Sequence, residues 1–352
     1  MSFDLPSLGW DDEFAATYAR FDRTDQCPAR VTRVDRGVCT VLTAAGSARA
    51  SLAGAMLTAA GRDPVALPCA GDWVVVRTWP DECQTIETVL PRRTAIVRAT
   101  AGKESLGQVL AANVDVAAVV EPMHPAPDLG RIERLLALAW ESGAQPLLVL
   151  TKADLVSRPQ AVARQIGRAA PDVETVAVSA RTGRGLDAIR PLVVKGRTLG
   201  LLGSSGAGKS SLVNALAGAI VMTTQALRAD GRGRHTTPYR ALVPLPDGGA
   251  VLDTPGVRGV GLFDAAAGLD RAFADVTAFA EGCRFADCAH RREPGCAVLG
   301  AVEEGRLSGR RLESWHRLRA ELAGETRRRY ARLSSENIRW LPKQERRRRA
   351  RP

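Results

Sequence analysis

The chain has 352 residues, enough for two or three domains, and carries 49 Lys and Arg against 38 Asp and Glu, a net charge of +11. It contains no uninterrupted apolar stretch of about 20 residues, which excludes a membrane-spanning α-helix. Aromatic residues make up only 5%, as suits an α/β core built from Val, Leu and Ala, and the 7 cysteines without a secretory signal are expected to be reduced thiols of a cytoplasmic protein.

Residues 1–28 are mixed and acidic, with Trp10, Phe14 and Tyr18 at helical spacing, and are expected to form an extension packed on its neighbour. From 29 to 97 the pattern changes to short β-type runs broken by Gly and Pro: Arg30–Val34, Cys39–Leu42, Trp73–Arg77 and Thr85–Val89. Such runs suit a small β-barrel, and an OB-fold would offer an oligonucleotide-binding face. Arg33, Arg77, Arg92 and Arg93 are candidate phosphate contacts, with Trp79 a candidate stacking platform. A purely structural barrel with solvated arginines is the alternative.

Residues 98–263 read as an α/β domain. The apolar run Leu147–Leu150 delivers Thr151-Lys152-Ala153-Asp154 to a strand end, and Thr175–Val178 does the same for Ser179-Ala180. A carboxylate at Asp154 can accept both N1–H and the exocyclic amine of guanine, which adenine does not offer in that arrangement. A backbone N–H at Ser179-Ala180 can bond guanine O6. Most GTPases have Asn where Thr151 stands; a Thr hydroxyl can bond N7 but lacks the second amide contact. Weaker nucleotide binding with guanine specificity retained is the expectation.

About fifty residues after that motif, Leu199–Leu202 leads into Gly203-Ser204-Ser205-Gly206-Ala207-Gly208-Lys209-Ser210, followed by a helical run from Ser211 to Ala217. This is the phosphate-loop pattern G-x-x-x-x-G-K-[ST] between a strand and a helix. Its three glycines let backbone N–H groups converge on phosphate oxygens at the positive end of the helix. Lys209 would reach the β- and γ-phosphates, and Ser210 would ligate Mg²⁺. Val251–Leu252 then runs into Asp253-Thr254-Pro255-Gly256, where Asp253 would hold Mg²⁺ through a water and the Gly256 N–H would sense the γ-phosphate. Between them, Gly231 to Thr237 lies where the first switch belongs: Thr237 is the candidate Mg²⁺ ligand and His235 a candidate for positioning water, with an ordinary exposed loop histidine as the equal alternative. Val257 stands where Ras-like enzymes place a water-positioning Gln, so hydrolysis is expected to be slow alone and completed by a partner. The guanine motif precedes the phosphate loop, whereas in an ordinary GTPase it follows; the domain therefore reads as circularly permuted.

Residues 264–352 hold the second strong signal. Cys283-x4-Cys288-x-His290-x5-Cys296 supplies three thiolates and an imidazole within fourteen residues, the ligand set of a closed structural zinc site. Reduced core cysteines beside an unrelated His are the alternative. Cys27, Cys39, Cys69 and Cys83 are scattered and receive no role. Residues 301–352 carry 16 Lys and Arg against 7 Asp and Glu, with clusters at Arg310-Arg311, Arg327–Arg329 and Arg346–Arg349, the last expected in a disordered tail. This is the charge footprint of a nucleic-acid binder, and no amphipathic insertion helix favours a membrane instead.

The motif order T-K-x-D, S-A, G-x-x-x-x-G-K-S, D-T-P-G, with Gly231-Arg-Gly-Arg-His-Thr-Thr237 and Gln108–Asp115, resembles the ribosome-small-subunit-dependent GTPase A family (RsgA, also called YjeQ) from about residue 30 to the C-terminus. The resemblance implies an N-terminal OB-fold, a permuted GTPase domain and a mainly helical zinc-bearing C-terminal domain. It also implies a role in late maturation of the small ribosomal subunit, with that subunit, its rRNA and GTP or GDP as partners and the protein a monomer. Three other readings stay open: a non-catalytic RNA-binding scaffold that uses GTP structurally, a permuted GTPase of the large subunit, and a phosphate-loop ATPase.

Overall fold

The computed structural model describes residues 2–61, 63–100, 106–222, 241–254 and 261–340. The acidic N-terminal segment forms a helix, α1 (Asp12–Tyr18), capped by the Asp11 carboxylate, which accepts from the Phe14 N–H at 3.2 Å. Its helical spacing sets Trp10, Phe14 and Tyr18 against Trp73, Leu42 and Leu90, and the Trp10 and Trp73 rings meet edge-on at 4.8 Å.

The strands β1 (Gln26–Val34), β2 (Val38–Thr43) and β3 (Gly46–Leu52), the helix α2 (Gly54–Ala60), and the strands β4 (Trp73–Thr78) and β5 (Gln84–Val89) follow. They pair in the order β1-β2-β3-β5-β4 and close through β1–β4, giving a five-stranded barrel with no free edge. Alternation along the strands sends Ala29, Val31, Cys39, Val41, Val74, Val76 and Ile86 inward. β6 (Ala95–Ala99), which spans the position expected to separate barrel from GTPase domain, forms a hairpin with β7 (Gly107–Ala112).

The central domain is built from β8 (Val116–Pro122), α3 (Leu129–Glu141), β9 (Gln145–Thr151), α4 (Pro159–Gly167), β10 (Glu174–Ala177), β11 (Thr198–Leu202), α5 (Lys209–Ala217), β12 (Ala241–Pro244) and β13 (Ala250–Asp253). Strands β10-β9-β8-β11-β13 run parallel in that order, and β12 adds an antiparallel edge. Every residue of β8 and β11 is buried, as expected of strands covered on both faces. The barrel and this sheet are continuous, because β12 also pairs with β1 at Ala241 and Arg33.

A short strand, β14 (Gly261–Leu262), joins the β6–β7 hairpin and leads into α6 (Ala266–Ala272), α7 (Ala274–Ala280), α8 (Ala297–Glu303) and the 32-residue α9 (Gly309–Trp340). A Cβ on Gly268 would lie 2.1 Å from the Ala137 carbonyl oxygen, so the bare glycine is what lets α6 cross α3 closely. Leu312, Trp315, Leu318 and Leu322 form the buried stripe of α9 and share one core with α3 and the sheet.

Two buried arginines fasten these parts together. Arg30, 1% exposed, donates to the carbonyls of Leu8 and Asn113 and to Thr198 Oγ1, and lies 5.2 Å from the Trp73 ring centre. Burial lowers its pKa to about 10 against the pull of Asp115 and Asp72. Arg311, 4% exposed, donates to Glu133 on α3, to Asp275 on α7 and to the carbonyls of Ala169 and Ala272. The N-terminal segment adds a further tie: the Ser7 carbonyl accepts from the N–H groups of Gly196 and Gly249, both at 3.0 Å.

Candidate active site and metal centre

The parallel strands end together on one edge, where loops leaving the carboxyl ends of an open α/β sheet form its ligand crevice. β9 ends in Thr151, β11 in the loop from Gly203, and β13 in Asp253; Ala177 of β10 leads through Val178 into Ser179 and Ala180. Four motifs spread over about a hundred residues of sequence thus converge on one crevice.

In the phosphate loop, a Cβ at Gly203 would lie 2.3 Å from the Val120 carbonyl oxygen, while Gly206 and Gly208 adopt φ of +81° and +96°. Only glycine satisfies both demands readily. Lys209, at the start of α5, is 6% exposed, and its ammonium donates to the carbonyls of Gly203 at 2.9 Å and Ser204 at 3.0 Å. Burial lowers its pKa while Asp253 opposes the shift. Ser210 donates to Asp253 Oδ2 at 3.1 Å, joining the two residues suited to a divalent cation. Asp253 is 2% exposed, and its Oδ1 has no hydrogen-bond partner among the described residues. Burial raises its pKa, against Lys209 and Ser210. A buried, half-satisfied carboxylate beside a hydroxyl fits an Mg²⁺ site. Ser204, Ser205 and Ala207 complete the loop, and Ser211 is exposed on the first turn of α5.

On the base-reading side, Asp154 Oδ1 accepts from the Ser179 hydroxyl at 2.6 Å, and Oδ2 accepts from Arg181 Nε at 2.9 Å. The Ser179 bond is the main cause of its lowered pKa, with Arg181 contributing, so the acceptor stays ionised. Lys152 takes the left-handed conformation, φ 58°, and the Ala153 N–H bonds the Val178 carbonyl at 3.0 Å, which ties the T-K-A-D turn to the Ser179-Ala180 loop. Thr151 is 2% exposed, and its hydroxyl donates to the Ala207 carbonyl at 2.5 Å instead of facing the crevice. His235, Thr237, Gly256 and Val257 lie outside the described residues, as do Arg346–Arg349.

The other cluster lies between α7 and α8. The ligand atoms of Cys283, Cys288, His290 and Cys296 all fall within 4.8 Å of one another. His290 Nδ1 is 3.5 Å from Cys283 Sγ and 3.4 Å from Cys296 Sγ, and those two sulfurs are 3.9 Å apart. Tetrahedral zinc with Zn–S near 2.3 Å and Zn–N near 2.0 Å sets such edges at roughly 3.8 and 3.5 Å, so the residues fit the metal. Burial first, then Arg319 and His316, lower the His290 pKa and favour the neutral ring that a metal requires. Glu293 braces the turn by accepting from the N–H groups of Ala289, Arg291 and Arg292 at 3.1, 2.8 and 2.9 Å.

The RsgA GTPase family profile matches residues 89–263. A small ribosomal subunit biogenesis GTPase RsgA of Streptomyces coelicolor is 53% identical over 90% of this chain and 86% of its own length. The chain belongs to the RsgA GTPase family. Another RsgA, from Streptomyces avermitilis, is 49% identical over 91% of the chain and 86% of its own length. The crystal structure of YjeQ from Thermotoga maritima superposes with a TM-score of 0.61 at 27% identity, covering 85% of this chain and 99% of that one. YloQ, described as a circularly permuted GTPase, shares the fold with a TM-score of 0.56 at 24% identity, over 86% of this chain and 96% of that one. As an RsgA-family member the chain is a GTPase, and its barrel, permuted GTPase domain and helical Cys/His region are those expected from the sequence.

Some expected contacts prove to be internal. Arg92 makes a bidentate pair with Asp72 and bonds the carbonyls of Val65 and Leu67, and Arg93 grips Asp11 with both terminal nitrogens at 2.6 Å. Both arginines are held by acidic partners on the barrel's flank, and Arg33 and Arg77 pair in the same way with Asp35 and Asp25, each at 2.7 Å. Arg311 likewise turns inward onto Glu133, which also pairs with the more exposed Arg310. Arg181 was missed as a partner of Asp154, although its place directly after Ser179-Ala180 was the available signal. Among the described residues no helix is long and apolar enough to cross a membrane.

Proposed function

We propose that this chain hydrolyses GTP as an assembly factor in late maturation of the small ribosomal subunit, binding its rRNA and being stimulated by it. The observation that carries the reading is the convergence of Asp154, the phosphate loop and Asp253 on one strand edge, in a chain whose relatives are named for small-subunit biogenesis. Asp154 receives the guanine N1–H and amine, a backbone N–H at Ser179-Ala180 meets O6, and Lys152 and Ala153 shape the turn that presents them. The loop from Gly203 to Ser210 cradles the phosphates, with Lys209 leaving its two carbonyls for the β- and γ-oxygens. Ser210, Thr237 and, through water, Asp253 would hold Mg²⁺, which when bound neutralises phosphate charge. The Gly256 N–H senses the γ-phosphate, and His235 orients water once the partner completes the site, giving GDP and phosphate.

The four-ligand cluster holds one structural zinc ion. Arg77, paired with Asp25 at 2.7 Å and stacked 4.0 Å above the half-exposed Trp79, together with the exposed Arg327 and Arg328, supports the RNA reading. Asymmetric docking on one particle suits a monomer acting in the cytoplasm, divided as 1–28, 29–97, 98–263 and 264–352. The test is GTP hydrolysis by the protein alone, with small subunits and with large subunits. Stimulation by small subunits only is expected; GTP binding without stimulation by either would favour the scaffold reading, which Val257 supports.

A further inference from the structure

We infer that Thr151 is a positioning residue that locks the base-reading loop onto the phosphate loop, and that it makes no contact with guanine N7. The inference rests on the GTP reading above and changes the role of one residue within it. Thr151 stands where most GTPases carry an amide, and a hydroxyl has a single hydrogen to donate. That hydrogen goes to the Ala207 carbonyl at 2.5 Å. N7 of a purine is an acceptor only, so the same hydrogen cannot serve both. The surroundings leave no second option: Thr151 is 2% exposed and Ala207 1% exposed. A Cβ on Gly208 would lie 3.2 Å from Thr151 Oγ1 and 3.4 Å from its Cβ, so the side chain is packed against the bare face of that glycine.

The consequence for the phosphate loop follows from peptide geometry. The Ala207–Gly208 peptide is planar and trans, so fixing its carbonyl toward Thr151 points the Gly208 N–H the opposite way. A loop that recognises phosphate through N–H groups fails if one of its peptides turns a carbonyl inward. Thr151 prevents that turn, and it does so from the strand that also delivers Asp154. The tie therefore couples the two halves of the nucleotide site, in place of the second amide contact that an Asn would supply.

Titration with GDP and with 7-deaza-GDP, which carries C–H in place of N7, separates the two roles. The wild-type protein should bind both within about twofold, and Thr151→Val should weaken both equally, by roughly tenfold for one lost buried hydrogen bond. Thr151→Ser should restore binding. Thr151→Asn, with two N–H donors and an acceptor, should keep the tie and newly discriminate against the 7-deaza analogue. A wild-type preference of about tenfold for GDP that disappears in Thr151→Val would overturn the inference, as would unchanged binding of both ligands by Thr151→Val. If Thr151→Val does not fold, the wild-type ratio and Thr151→Asn still decide. Failure of the wild type to bind either guanine nucleotide would sink the GTP reading itself, a distinguishable result.

Discussion

Replacing Arg311 with Met should loosen the C-terminal region from the GTPase domain. The guanidinium is 4% exposed and donates to Asp275 at 2.5 and 2.8 Å, to Glu133 at 3.0 Å, and to the Ala169 and Ala272 carbonyls at 2.8 Å each. Met keeps the apolar stem, so the substitution removes charge and donors more than packing volume. Glu133 is wholly buried and keeps Arg310, at 2.6 Å, but the two carbonyls lose the guanidinium and Asp275 keeps only the Val276 N–H, at 3.0 Å. Removing one partner from a buried ionic cluster costs about 3–5 kcal/mol, and the surviving Arg310 contact places the loss near the lower end. For a unit of 150–250 residues each kcal/mol lowers Tm by about 2–4 °C, so the first thermal transition should fall by roughly 6–12 °C. Differential scanning calorimetry of wild type and Arg311→Met measures it directly, with Asp275→Asn added to relieve the carboxylate that has lost its guanidinium and recover part of the loss. A transition within about 1 °C of wild type would refute the assignment of Arg311 as a structural clamp.

Asp154→Asn should abolish high-affinity GTP binding, because an amide cannot accept both guanine hydrogens; nucleotide titration checks it, and intact GTP affinity contradicts the role. Backbone N–H groups of Arg291 and Arg292 bring the Glu293 pKa down to about 2, so its folded-state contribution is fully present above the unfolded value near 4.5 and lost as pH falls toward about 2. Between pH 7 and 5 Glu293 stays ionised, so Glu293→Gln should weaken zinc retention by a constant factor without changing the shape of its pH dependence, as read by a chromophoric chelator. Arg77→Ala should reduce rRNA affinity several-fold and lower its salt slope by about one unit, with GTP affinity unaltered.

The site was legible wherever chemistry is written in short spacings. The phosphate loop, Thr151 to Asp154, Asp253 and the Cys₃His cluster each occupy a few adjacent positions, and strand ends at 151, 202 and 253 bring the nucleotide motifs together. The carboxylate partners of Arg92, Arg93, Arg310 and Arg311 were not legible, because a cluster of positive charge looks the same whether it faces solvent or a carboxylate far away in sequence. Glu133, the partner of Arg311, lies 178 positions from it, and no local pattern announces the pair. Thr151 shows the same limit at shorter range: its residue type permits a base contact, and only the packing of Ala207 against it assigns the hydrogen elsewhere. The run from Ala266 to Ala280 likewise folds as two helices, interrupted at Phe273, whose φ of −118° leaves the helical range.

Permutation leaves a seam: the stretch from Val193 to Arg197 bridges what are the two free ends in a GTPase of ordinary motif order, and it leads directly into the strand that carries the phosphate loop. The Ser7 carbonyl stitches that seam by holding Gly196 on one side and Gly249, the residue before β13, on the other. The extension at the start of the chain thus works as a splint across a rearranged join. Trimming it would slacken the two strands that present Lys209 and Asp253, far from the cut in sequence and adjacent to it in mechanics.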